Sequence, residues 1–87
     1  MKLKYDFEIT DFMSEVCAVS KQLGESGKKV IVRLGNDTAV RIFSLIQEGN
    51  EIPDIVSIML KEYDVEEAVL RDEVEKFVAT LRKDDII

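Results

Sequence analysis

The spacing of apolar positions changes once along this chain, across "RLGNDTAVRIF", Arg33 to Phe43. Before that stretch the rhythm is that of strands. In "YDFEI", Tyr5, Phe7 and Ile9 alternate with Asp6 and Glu8, which gives a strand one apolar face. "EVCAVSK" is a second β-prone run, close enough to the first for a hairpin. "KVIVRL" is a third, with Val30, Val32 and Leu34 on one face and Ile31 and Arg33 on the other. Between the second and third runs lies "KQLGESGKK", whose glycines, serine and charges mark a turn or loop over residues 21–29.

After the junction the rhythm is helical. Ala39, Ile42, Phe43 and Ile46 form one stripe, with Asn36 as a candidate N-cap and Gly49 as a stop. A second helix begins near Pro53, which suits a first turn, and repeats the spacing through Val56, Met59, Leu60 and Tyr63. "YDVEEAV" breaks and restarts the pattern, with Asp64 and Glu67 spaced as a capping box. Leu70, Val74, Phe77, Val78 and Leu81 stripe a longer third helix whose last turn carries Arg82 and Lys83, and "DDII" reads as a short tail. The predicted order is three strands, then three helices. The fold class is α+β: a three-stranded antiparallel β-sheet followed by a three-helix, winged-helix-like bundle, in a single domain spanning 1–87.

Composition narrows what such a domain can do. A chain of 87 residues has room for one hydrophobic core and hardly for an enclosed active site as well. The net charge is -6 and the basic residues are dispersed, which works against general attraction to nucleic acid or anionic membrane. No run approaches the roughly 20 apolar residues of a membrane helix, so the expectation is a soluble, cytoplasmic protein.

Candidate chemistry thins out quickly. There is no histidine, so Ser-His and Cys-His nucleophile pairs cannot form. Cys17 is the only cysteine, which excludes an intrachain disulfide and a zinc site of the Cys/His type. It reads as a small half-buried hydrophobe or, alternatively, a reactive thiol. "LGESGKK" ends in lysines but fits no P-loop spacing. Glu66/Glu67 and Asp84/Asp85 read as solvated helix ends more readily than as an acid–base pair. A winged-helix DNA reader would expose bases on its third helix, but here acids outnumber them: Glu66, Glu67, Asp72, Glu73 and Glu75 against Arg71 and Lys76. What remains is recognition through the backbone. A small sheet has edges with unpaired N–H and C=O groups, and an extended peptide can add to one of them. If the third strand is such an edge, the helix following it can form the other wall of a groove; otherwise it is an interior strand without a ligand.

The segments "MKLKYDFEITD", "NDTAVRIFSLIQEG" and "EIPDIVSIMLKEYDVEEAVLRDEVEKFVATLRKDDII" resemble the PqqD-like family, also called RiPP recognition elements. The likeness rests on Asn36-Asp37-Thr38-Ala39 with Ile42-Phe43, on Leu60 with Tyr63-Asp64-Val65, and on Asp72-Glu73-Val74 running through Phe77, Val78 and Leu81. It implies a non-catalytic peptide chaperone without a cofactor. Such a protein binds the leader segment of a ribosomally synthesised precursor peptide as an extra strand on its third strand. It presents that leader to a modifying enzyme, such as a radical S-adenosylmethionine enzyme or a leader peptidase. The resemblance places the binding edge at Val30, Ile31, Val32, Arg33 and Leu34, and the facing helix wall at Arg71, Val74, Glu75 and Val78. Val74 and Val78 serve equally well as plain core, and Arg33 and Arg71 are candidates to pair with acidic leader residues or with nearby acids of the chain itself. The alternatives are a winged-helix DNA-binding regulator and a docking subunit of an enzyme complex. The chain is expected to be a monomer or a dimer, contacting neither nucleic acid nor membrane.

Two features depart from the family pattern. Gly35 stands between Leu34 and Asn36, where relatives usually have Leu directly before Asn, and this leaves open which face of the third strand points inward. The loop at 21–29 also lacks the usual aromatic-glycine approach to that strand.

Overall fold

The computed structural model describes residues 1–87. Three strands, β1 (Phe7–Phe12), β2 (Glu15–Leu23) and β3 (Lys29–Arg33), precede three helices, α1 (Asp37–Gln47), α2 (Ile52–Leu60) and α3 (Glu67–Lys83). The sheet is antiparallel in the order β1-β2-β3, so β2 is central and β3 is an edge. The α+β order read from the sequence is the observed one.

Register follows the apolar alternation. Ile9, Ala18 and Val32 are cross-strand partners on the face toward the helices, while Thr10, Cys17 and Arg33 line up on the other face. Met13 and Ser14, both at positive φ (53° and 68°), close the β1–β2 hairpin in the twist a two-residue loop requires. The β2–β3 ladder is interrupted between Val19 and Leu23. There the buried Ser20 replaces the missing ladder partner: its hydroxyl accepts from the Val30 N–H (2.8 Å) and donates to the Gln22 carbonyl (2.6 Å).

Gly35 lies beyond the strand and does not shift it. Val30 and Val32 are half-buried and Leu34 is buried, whereas Ile31 and Arg33 are exposed, so the face left open by the sequence is decided: Val30, Val32 and Leu34 point inward. Gly35 itself takes φ +81°, a left-handed step that turns the chain from β3 into α1. Asn36 then caps the helix, its Oδ1 accepting from the Ala39 N–H at 2.8 Å. At the far end of α1, Gly49 (φ 93°) closes a Schellman motif, with Gly49 N–H bonded to Ile46 and Asn50 N–H to Leu45.

Two local expectations change. Asp64 and Glu67 form no capping box; α3 is entered through Glu66 without a side-chain cap. The C-terminal "DDII" is not a loose tail. Asp85 turns back at φ 62°, Ile86 N–H bonds the Leu81 carbonyl, and Ile86 is buried in the core. The C-terminal apolar residue covers the end of the helix it follows, which the helical spacing alone does not announce.

The core joins the inner sheet face to all three helices. Phe43 at its centre meets Phe7 and Phe77 edge-to-face, with ring centroids 5.2 and 6.4 Å away. No helix is long and apolar enough to cross a membrane.

Candidate functional site

The β3 edge has a defined hydrogen-bonding polarity. Leu34 N–H bonds the Val16 carbonyl at 3.1 Å, and Val30 N–H goes to Ser20 Oγ. Antiparallel strands alternate inward and outward groups, so Val30, Val32 and Leu34 are spent on β2. The N–H and C=O groups of Ile31 and Arg33 face away from the sheet.

Beside this edge runs a groove of about 850 Å³, bounded by β3, the start of α1, the α2–α3 turn and α3. Its strand side is Ile31, Val32, Arg33 and Leu34. Its floor includes Ala39, Ile42 and Met59, buried residues whose outer surfaces also seal the core. The opposite rim is apolar and exposed. Tyr63, Val65 and Val69, with Ile31 across from them, are four large hydrophobic residues between 36% and 52% accessible. Exposed apolar residues are ordinary when scattered, but converging on one concave surface beside an open strand edge they form a candidate binding site.

α3 presents a different face to the groove from the one expected. Val69, Glu73, Lys76 and Thr80 form one row along it, with Leu70 and Phe77 in the next. Val74 and Val78 are fully buried and belong to the core. Arg71 and Glu75 lie about 100° and 140° around the axis from Leu70, on the side away from the groove, as 3.6 residues per turn requires. Arg71 is engaged with Glu67 one turn earlier at 3.3 Å. Of the residues singled out from the sequence, Ile31, Val32, Arg33 and Leu34 therefore share the groove. Val30 sits at the bulge, and Arg71, Val74, Glu75 and Val78 do not line it.

Tyr63, Val65, Val69, Glu73 and Phe77 were missed as groove residues. A signal for the first three is present in the sequence: Tyr63 and Val65 are apolar in a turn, where polar residues are the rule, and Val69 sits beside the buried stripe of α3.

The electrostatics of the groove are uneven. Arg33 is turned onto the outer sheet face, where Glu15 accepts from its Nε at 2.7 Å. Lys76 is held by Asp72 at 2.8 Å, and that hydrogen bond, then the Asp72 charge, raise its pKa above the ordinary lysine value. Glu73 and Asp84 carry no ion pair. At the end of the groove, Arg41 of α1 grips Glu62 with two hydrogen bonds, 2.8 and 2.6 Å, and so fixes the turn that carries Tyr63. This contact lowers the Glu62 pKa and raises that of Arg41. No group of three or more His, Cys, Asp or Glu side chains is placed to hold a metal ion.

Residues 22–87 match the family described as Coenzyme PQQ synthesis protein D (PqqD). The match begins within β2 and takes in β3 and all three helices. Two solved structures share the fold over nearly the whole chain. One is described as TbiB1 in complex with the TbiA(beta) leader peptide: TM-score 0.70, 21% identity, 99% of this chain and 93% of that chain. The other is described as lasso peptide synthetase B1 complexed with the leader peptide: TM-score 0.69, 21% identity, 98% and 93%. No curated protein matches the chain.

Proposed function

Because the chain belongs to the PqqD family, we propose that it is a non-catalytic, cytoplasmic peptide chaperone acting as one domain. It binds the leader segment of a ribosomally synthesised precursor peptide and presents it to a modifying enzyme, a radical S-adenosylmethionine enzyme or a leader peptidase. The observation that carries this reading is the unpaired β3 edge standing over an apolar groove. The two similar solved structures, each of a protein holding a leader peptide, support it.

In this reading the leader adds as a fourth strand. Its backbone pairs with the outward N–H and C=O groups of Ile31 and Arg33, and alternate side chains enter the groove over Val32, Leu34 and Phe77. Main-chain bonds supply sequence-independent affinity, and the groove supplies selection. The acidic surface of α3 opposes docking against phosphates, which disfavours a DNA-binding role for the same helices.

The test is a fluorescence-anisotropy titration with the leader of the cognate precursor, paired with amide hydrogen exchange. Saturable binding with new protection at Ile31 and Arg33 is the expected result. Folded protein that shows no saturable binding to that leader overturns the proposal.

A further inference from the structure

Accepting a peptide on the β3 edge leaves open what kind of peptide it is, and the charges around the groove narrow the choice. On the α3 wall, Glu73 stands between apolar neighbours one turn away on either side, Val69 and Phe77. Its nearest cation along the helix, Lys76, is committed to Asp72. Asp84 closes the same row at the C-cap of α3, where the negative end of the helix dipole adds to its field, and it has no ion pair. Arg33, the cation on the opposite rim, leans onto the outer face toward Glu15. On the groove side of α3, Glu73 and Asp84 are thus acids without ion pairs among apolar neighbours, the one lysine of that row, Lys76, is engaged by Asp72, and Arg33 leans onto the outer face.

An added strand alternates its side chains between those two surfaces. From this we propose that the groove selects an extended segment whose α3-facing positions are apolar except for one Lys or Arg set over Glu73. The side chain's aliphatic stem covers Val69 and Phe77 while its charged head reaches the carboxylate, the usual way a long basic side chain lies on a mixed surface. An acidic residue is accepted only on the outer face, opposite Arg33. The inference rests on the peptide-binding reading above. It differs from the expectation that Arg33 and Arg71 receive acidic leader residues: Arg71 lies off the groove, and Arg33 serves the outer face only.

The test uses three synthetic 12-residue peptides with the same alternating apolar frame and a single central inward position occupied by Lys, norleucine or Glu. Each is titrated by fluorescence anisotropy against the wild-type protein and against Glu73→Lys, an exposed substitution whose folding is checked by circular dichroism. The Lys peptide is expected to bind the wild type about fivefold more tightly than the Glu peptide, the scale of a partly solvated ion pair. Glu73→Lys is expected to invert that order. Equal binding of all three peptides, or an order unchanged by Glu73→Lys, overturns the charge selection while leaving the groove reading standing. Absence of saturable binding by every peptide, while the leader still binds, overturns the charge selection alone; absence of binding by the leader as well overturns both.

Discussion

The sheet has two open edges, and only one of them is a binding site in the reading developed above. By the same alternation that frees Ile31 and Arg33 on β3, β1 turns the N–H groups of Phe7, Ile9 and Asp11 outward, since Lys21 N–H bonds the Asp6 carbonyl. The backbone offer is therefore equivalent. What differs is the neighbourhood. At the entry to β1 the chain covers its own apolar surface: Met1, Leu3 and Tyr5 pack against the core, and Lys4 N–H bonds the Ile86 carbonyl. Acidic Asp6, Glu8 and Asp11 then line that strand and discourage pairing with another chain. Next to β3 no segment of the chain covers the apolar wall, and the hydrophobic rim stays in water. An open edge is common to many small sheets; this one adjoins apolar surface that the chain leaves unburied.

The largest perturbation is one that spoils both edges together. Phe43 is inaccessible to solvent and touches Phe7 below β1 and Phe77 on the groove wall. Phe43→Ala is expected to cost about 3–5 kcal/mol in urea unfolding, enough to threaten a domain of this size. A loss well under 1 kcal/mol means that the two sides do not share one core.

Proline separates the edges. Ile31→Pro removes an outward donor on β3 and is expected to weaken leader binding at least about tenfold, whereas Asp11→Pro removes the equivalent donor on β1 and leaves binding unchanged. Equal effects from the two substitutions erase the distinction. Val32→Pro is a different experiment, because the Val32 N–H belongs to the β2 ladder and its loss damages the fold.

A smaller effect tests the junction that ends the β3 edge. Nothing lies within 4 Å of where a Cβ on Gly35 would stand, so Gly35→Ala meets no clash. Its cost is the left-handed backbone alone, about 1–2 kcal/mol in chemical denaturation, with β3 and its edge intact. Collapse of leader binding without loss of stability contradicts that placement.

The smallest effect concerns pH. The Arg41 hydrogen bond holds the Glu62 carboxyl below its ordinary value. A lowered folded-state pKa contributes stability above the unfolded-state value, and that contribution disappears as the pH falls through the lowered one. Arg41→Ala should return Glu62 to the ordinary carboxylate range in an NMR titration and remove its share of the acid-side decline. An unmoved Glu62 titration means the clamp is not populated in solution.

How much of this was legible beforehand differs element by element. That Val30, Val32 and Leu34 share one face of β3 was readable, because a strand has a period of two; that this face points inward was not, because Gly35 left the register open. The stripe of α1 and its Asn36 cap were readable for the same kind of reason, since both depend on spacing within one turn. The α3 wall was not readable. Leu70, Val74 and Val78 are all apolar positions at helical spacing, and the spacing specifies which residues avoid water without specifying which neighbour covers them.

The sequence by itself determined the elements, their order, which residues share a face of each and the lack of histidine-based chemistry, because these follow from local periodicity and composition. Only the tertiary structure decided that β3 is an edge, that Val74 and Val78 turn into the core while Val69 and Phe77 line a groove, and that Ile86 folds back to close the domain. These outcomes depend on which surfaces meet across long stretches of chain. Burial is a competition among all apolar faces for a limited interior, and its losers, Ile31, Tyr63, Val65 and Val69, are the residues left exposed along the groove.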